Sequence, residues 1–534
     1  MKKIFLSLAL LAFAVTAIGQ ELSQPEFEGQ SCTSIMVGKS ASKDGSVITS
    51  HTCDGRYRTW MHMEPAEDHA TGTVHKVYKG TLHTTFRGDT TGLKLAGVIP
   101  EAAHTYAYLN TAYPCLNEHQ LAMGESTFSG PDTLINPQGM FLIEELQRIA
   151  LQRCTTAREA IRLIADLIKV YGYGDGGECI TIADTKEVWQ MEILGEGKGI
   201  IGGIWAAQRI PDDQVGVSCN IPRIGRLQRG NTEYFMCSEN IEEVAKRNGL
   251  WDGKEPFVFW KAFNSSYANG KNFREREYFI LSHLAPSLNL SMDMPELPFS
   301  VRPDKNVDVR EVMDLFRATY EGTDMDMCKN LKMTVSRKDK NGKSYEDTVI
   351  SAIANPWMTS AMQKTLNTIA PGVVEFRRTV SVAWCSYSFV AQCRDWLPDC
   401  VGGVAWMSLD NPAQSPRVPI FCGTSTLPEP YSICGQKEYN PNAVIWKYRR
   451  ANKLATVAWQ RTKAGMNAEL KKLEDKAFGR LSTLEREATR LDRIGRIDDV
   501  HATLNNFTNQ EYENTTFAWS QLEAKYWQLF GMGF

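Results

Sequence analysis

Several patterns that announce large function classes are missing from this chain. No two cysteines are spaced C-x-x-C, which argues against a zinc ribbon or a thioredoxin-type site. No H-E-x-x-H occurs, so the usual zinc-peptidase signature is absent. The nine histidines are scattered singly, and neither a metal nor a cofactor is expected. The run Gly172-Tyr173-Gly174-Asp175-Gly176-Gly177 is not followed by Gly-Lys-Ser/Thr, so it is a flexible connector and not a phosphate loop. Net charge is also scarce: 59 Lys and Arg face 62 Asp and Glu, a formal −3. A nucleic-acid partner, which needs a basic face, is therefore not expected. No segment reaches the roughly 18 uninterrupted apolar residues of a stable membrane span.

What remains is an ordinary globular composition, 43% hydrophobic and 23% charged over 534 residues. That length allows one large core or two domains. The N-terminus has its own character. Lys2 and Lys3 precede a mostly apolar stretch from Ile4 to Ile18, and Ala17-Ile18-Gly19 offers small residues at the positions a signal peptidase reads. Residues 1–19 are expected to be a bacterial signal peptide, which makes the protein exported, to the periplasm or the medium. Residues 20–31, polar and holding Pro25 and Gly29, read as a propeptide. Thirteen cysteines in an exported chain leave at least one free thiol. Cys219, Cys237, Cys385 and Cys422 lie in apolar runs and read as small buried hydrophobes.

From residue 33 the pattern changes. Thr33–Lys39 and Ser46–His51 are strand candidates around the turn Lys43-Asp44-Gly45. A hairpin centred near residues 42 and 43 places position 32 opposite the neighbourhood of 53, close to His51, Cys53 and Asp54. Strands follow at 105–110 and 120–128. Helices follow at 140–153 and from about 157 to 170, the second opened by a Thr156/Glu159 capping box. Strands return at 179–183, 188–193, 199–205 and 215–219. Residues 242–284 look mainly helical, and 334–348 look like a polar loop. Strands resume near 379–390 and 402–407. From Pro441 onward, two or more long amphipathic helices are expected on the core or on a partner subunit. The order of elements predicts an α+β layered fold.

The chemistry converges on Cys32. A thiolate is a strong nucleophile, but an ordinary cysteine is mostly protonated near neutral pH and needs a base. Its own α-amino group, with a pKa near 7.7–8.0, can be that base if the cysteine is residue one of the mature chain. A cut between Ser31 and Cys32 is then required, and the thiol can make it by attacking the Ser31 carbonyl. Spacing alone leaves open whether Cys32 is such a nucleophile or a structural cysteine opening a strand.

The run Cys32-Thr-Ser-Ile-Met-Val-Gly-Lys-Ser-Ala-Ser-Lys-Asp-Gly-Ser46 resembles the start of the N-terminal-nucleophile cysteine dipeptidases, the group of dipeptidase A and the secernins. Further matching runs are Asn117-Glu-His-Gln-Leu-Ala-Met-Gly-Glu-Ser-Thr127, Ile182–Trp189, Trp205–Asp212, Asn220-Ile-Pro-Arg-Ile-Gly225, Leu281–Pro286 and Arg394-Asp-Trp-Leu-Pro398. The resemblance spans roughly Cys32 to Tyr431. It implies a four-layer αββα sandwich over 32–440, with a mainly helical insertion near 240–345 and a helical segment at 441–534. It implies hydrolysis of dipeptides through a thioester on Cys32, with the freed amine as base. Asp54 would hold that amine and the thiol. Thr127 and Asn220 would fall where oxyanion-stabilising groups sit, donors commonly worth about 2.7–4 kcal/mol each. Arg276 would orient the nucleophile, with Arg274 as its competitor. Many relatives carry Arg three residues before the Asp, where this chain has His51. Arg56 or Arg58 would then supply the positive charge.

Short peptides are the expected partners, and the C-terminal helices make self-association an expectation. Two other functions fit the same residues. One is hydrolysis of N-acyl amides, as in bile salt hydrolase and penicillin V acylase. The other is an inactive envelope binding protein on the same fold.

Overall fold

The computed structural model describes residues 31–264 and 271–533. The expected signal peptide and all of the propeptide except Ser31 lie outside them. Strand β1, Ser31–Val37, and strand β2, Val47–Asp54, form the expected hairpin, with Cys32 directly opposite Cys53. The turn works because Gly45 adopts φ +82°, and because the Asp44 carboxylate accepts from the main-chain N–H of Ser46 at 3.0 Å and from the Ser42 hydroxyl at 2.8 Å.

This hairpin is the middle of a seven-stranded antiparallel sheet. Val215–Ser218 and then Ser300–Val301 flank β1; Cys385–Cys393, Val404–Leu409 and Val418–Phe421 extend from β2. Every residue of β1, β2 and Cys385–Cys393 is buried, as expected of strands covered on both faces. A second sheet has eight strands, running from Phe235–Cys237 through Ile204–Ile210, Val188–Leu194, Gly177–Ala183 and Ala122–Ser129 to the short strands Leu116–Asn117, Tyr108–Asn110 and His62–Glu64. The two sheets meet through polar contacts near the hairpin. Thr49 and Thr181 hydroxyls lie 2.7 Å apart, those of Ser126 and Ser218 2.6 Å, and Ser34 donates to the Glu125 carbonyl at 3.2 Å.

Helices Ile143–Arg153 and Ala157–Tyr171 pack on the eight-stranded sheet through Leu146, Ile149, Ile161 and Ile164. The Thr156/Glu159 capping box is present. On the outer side of the seven-stranded sheet, Ile280 and Leu284 from helix Lys271–Leu284 and Val312 and Phe316 from helix Val309–Phe316 meet Ile35, Val37 and Val217. The molecule is thus a mixed α/β fold with antiparallel sheets.

Four local expectations are corrected. The strand expected at 199–205 begins at Ile204, because Gly199 and Gly202 take φ +80° and +146° and hold the preceding residues in a turn. The polar segment 334–348 is a β-hairpin, Lys332–Lys338 with Ser344–Ile350, turned at Gly342 with φ +80°. It is largely exposed, so it carries no apolar alternation to betray it. Residues 248–258 interrupt the helical stretch, with Gly249 and Gly253 both at positive φ. The strand expected from 379 starts at Cys385. Carbonyls of Thr379 and Ser381 are taken by the side chains of Arg378 and Trp357 and are unavailable to a ladder.

The chain closes with three helices, Val444–Val457, Trp459–Arg493 and Ile497–Phe530. They pack on the core. The last one runs against the edge strand Val418–Phe421, and Thr508 donates to the Pro419 carbonyl at 2.9 Å, covering an edge that would otherwise be open. Trp519 is fully buried there, and its indole N–H donates to Asn452 Oδ1 at 2.9 Å. Trp519→Ala should therefore cost about 3–5 kcal/mol. Urea unfolding followed by far-ultraviolet circular dichroism reads this; a loss below about 1 kcal/mol would mean that the helix contributes little to the core. None of the described helices is long and apolar enough to cross a membrane.

Candidate active site

Cys32 is the second residue of β1 and is 1% exposed. Two side chains from distant segments bind its main chain. The Cys32 N–H donates to Asn220 Oδ1 at 3.0 Å. Asn220 follows the strand Val215–Ser218 and sits at φ +63°, a left-handed conformation that asparagine tolerates better than most residues. Arg276, on helix Lys271–Leu284, is wholly buried. Its guanidinium donates to the Cys32 carbonyl at 2.5 Å, Thr33 Oγ1 at 2.9 Å, the Cys219 carbonyl at 2.9 Å and Asn220 Oδ1 at 2.8 Å. Arg274 instead donates to the Met294 carbonyl, which settles which of the two arginines reaches Cys32.

Asp54, at the end of β2, is fully buried and bound by Arg378 Nη2 at 2.7 Å and Thr52 Oγ1 at 2.9 Å. The same guanidinium grips the Ser31 hydroxyl through Nε at 3.1 Å and Nη2 at 2.7 Å. Glu275, beside Arg276, accepts from Arg377 at 2.6 Å and from the Arg378 N–H at 3.3 Å. One helix thus seats both arginines.

Arg378 is the cation at Asp54, and this corrects the expectation for Arg56 and Arg58. Arg56 is exposed. Arg58 donates to the Trp60 carbonyl at 3.0 Å and to Asn110 and Thr111. His51 is not a cation either. Its ring is caged by Tyr113, Tyr387 and Phe389, and burial pulls its pKa down to about 4. It stands neutral, with Nδ1 at 2.7 Å from the Glu125 carbonyl and Nε2 without a partner. Arg378 escaped the sequence reading because an Arg-Arg pair carries no signal of burial, and Arg449-Arg450 looks the same in print.

Thr127 and Asn220 are adjacent. Asn220 Nδ2 donates to the Thr127 carbonyl at 2.5 Å, and Thr127 Oγ1 donates to Glu125 Oε1 at 3.1 Å. Two donors on Asn220 Oδ1 fix the orientation of that amide.

The thiol itself is quiet in this chain. Burial first, then the nearby Glu125, Cys53 and Asp54, push its pKa well above the ordinary cysteine range, although the Asp54 main-chain N–H donates toward the sulfur. With residue 32 in a peptide bond, its own nitrogen cannot take the proton. Cys32, His51 and Glu125 each present a donor atom within 4.8 Å of the others, a three-donor set that spacing did not predict and that could hold a zinc-like ion. All thirteen cysteines are free, and ten are buried, as small hydrophobes would be.

The model of Peptidase family C69 matches residues 31–472. A probable dipeptidase of Latilactobacillus sakei is 25% identical over 434 residues, covering 78% of this chain and 79% of that protein. A probable dipeptidase of Salmonella dublin is 24% identical over 436 residues, with 77% and 84% covered. Probable dipeptidase B of Streptococcus pyogenes serotype M1 is 24% identical over 441 residues, with 79% and 78% covered.

Proposed function

Because the chain belongs to peptidase family C69, and so to the cysteine-type peptidases, we propose that it is a dipeptidase whose attacking group is the thiol of Cys32, exposed by a cut after Ser31. The observation that carries this reading is where the buried machinery points. Asn220, Arg276 and the Arg378–Asp54 pair bind main-chain and side-chain atoms of residues 31–33 and leave the thiol without a side-chain cation. A structural cysteine needs none of this, and burying two guanidiniums and a carboxylate is costly unless geometry repays it. The names of the relatives support a dipeptide substrate.

In this reading the sulfur attacks the Ser31 carbonyl carbon. The Ser31–Cys32 C–N bond breaks, the thiol proton passes to the leaving nitrogen, and a thioester joins Ser31 to Sγ. Water hydrolyses the thioester, returning the thiol and leaving a free α-amine on Cys32. Asn220 Oδ1, already on that nitrogen, holds the amine. It then serves as base near its ordinary pKa, 7.7–8.0, removing the thiol proton and giving it to the leaving amine of a substrate. Once substrate is seated, the second Nδ2–H of the fixed Asn220 amide and the Thr127 hydroxyl, rotated away from Glu125, donate to the oxyanion.

The two facing sheets with helices outside them support an αββα sandwich spanning 32–440, with 240–345 inserted and 441–534 as a helical cover. The N-terminal sequence supports export, with 1–19 and 20–31 removed in turn. The test is the mature protein. Intact mass and Edman sequencing should find Cys32 first, and a panel of dipeptides should be cleaved while glycocholate and penicillin V are not. An active chain beginning upstream of Cys32 would refute the mechanism. Cleavage of the acyl amides alone would move the protein to the amidase reading.

A further inference from the structure

Glu125 stands beside the thiol, with Glu178 next to it on the neighbouring strand, and neither takes or gives a proton in the mechanism above. Thr127 lies directly opposite Glu178 on neighbouring strands, and Glu125 is two residues before Thr127. Both glutamates are buried, at 0% and 4% exposure, and each keeps one carboxyl oxygen, Oε2, without any hydrogen-bond partner. Asp54 Oδ1 and Glu144 Oε2 are left the same way, but Asp54 is neutralised by Arg378, as Glu277 is by Arg223, and Asp184 is bound by main-chain N–H groups. Among the described residues no ion pair reaches Glu125 or Glu178. Lys79, on the side of Asp175, donates to the carbonyls of Pro137 and Gly139.

Resting on the assignment of Cys32 as the attacking thiol, we propose that Glu125 and Glu178 receive the free α-ammonium group of the substrate's N-terminal residue. The distances fit. A carboxyl oxygen of Glu125 lies within 4.8 Å of Cys32 Sγ. A carbonyl carbon in position for attack sits about 3–3.5 Å from the sulfur. The α-nitrogen of the same residue is about 2.5 Å from that carbon, by bond lengths alone. An ammonium on the Glu125 side of that carbonyl can come within hydrogen-bonding reach of Glu125. The electrostatics agree. Burial pushes both glutamates' pKa values up, and at Glu178 the charge of Glu125 adds to it, because two neighbouring carboxyls buried with no counter-cation resist ionising together. An entering ammonium is the missing cation. The pair thus selects for chains whose first residue is the one attacked. It rejects internal peptide bonds and N-acyl amides, which would bury an uncharged group against unpaired carboxyls.

The test compares a dipeptide with its N-acetyl and des-amino analogues on the mature enzyme. For the wild type, kcat/KM should fall at least about 100-fold on losing the ammonium. Glu178→Gln, its N-terminus verified by mass, should raise KM for the free dipeptide and leave the des-amino rate within about threefold, so that the preference shrinks. Two results would overturn the proposal. One is wild-type enzyme cleaving the des-amino analogue as fast as the dipeptide, which decides the matter even where a variant does not mature. The other is equal losses on all three substrates, which would place the pair at Cys32 and not at the substrate. Failure of the nucleophile assignment looks different: Cys32→Ala would retain dipeptide cleavage.

Discussion

Cys32→Ala leaves the chain uncut before residue 32 and lowers dipeptide hydrolysis by at least about 10⁴-fold. Both losses have one cause, since the same sulfur is asked to attack the Ser31 carbonyl and then the substrate. Intact mass and kcat/KM on one preparation read them together. A companion measurement uses the state of the thiol. In the uncut chain burial holds its pKa far above the ordinary range, so it should resist alkylation by iodoacetamide at pH 8. In the mature protein the adjacent amine can take the proton, and the same reagent should label Cys32 and stop turnover. A cut and fully active Cys32→Ala protein would remove Cys32 from the mechanism. Its buried position would then be that of a small hydrophobe like Cys53 across the strand pair.

The second large effect is on stability. Arg378→Met removes the cation that faces Asp54 and leaves a fully buried carboxylate held by Thr52 alone. Breaking one side of a buried pair costs about 3–5 kcal/mol, because the remaining charge stays out of water. Arg378→Met together with Asp54→Asn should recover at least half of that loss, since no charge is then stranded. Urea unfolding midpoints of the two single variants and the double variant measure the coupling. Strictly additive losses would mean that the two groups do not depend on each other. Neither Arg378→Met nor the double variant should mature, because both lose the guanidinium that grips the Ser31 hydroxyl at the cut site.

Much of the framework was legible without coordinates, for local reasons. The Lys43-Asp44-Gly45 turn sets the register of β1 and β2, so the pairing of Cys32 with Cys53 and the nearness of Asp54 followed from counting. The Thr156/Glu159 cap was readable because both partners lie within one turn of helix. The hairpin at 332–350 was not, since strands exposed on both faces have no apolar period. The strand at Ile204–Ile210 was placed too early because glycines at positive φ look in print like any others.

Sequence by itself determined the nucleophile candidate, its strand, the hairpin partner and the family, all of which depend on neighbours in the chain or on contiguous motifs. Only the tertiary structure decided the surroundings of Cys32. Arg276 arrives from 244 positions away and Asn220 from 188. Arg378 replaces the expected nearby arginines at Asp54, and His51 loses its charge to an aromatic cage. Glu125 and Glu178, ordinary strand residues in print, become a buried acidic couple that no cation faces among the described residues, with Glu125 beside the thiol. The reason is physical. Whether a charged side chain is paired, stranded or neutral depends on burial and on what faces it, and both are set by segments that meet only when the sheets close together.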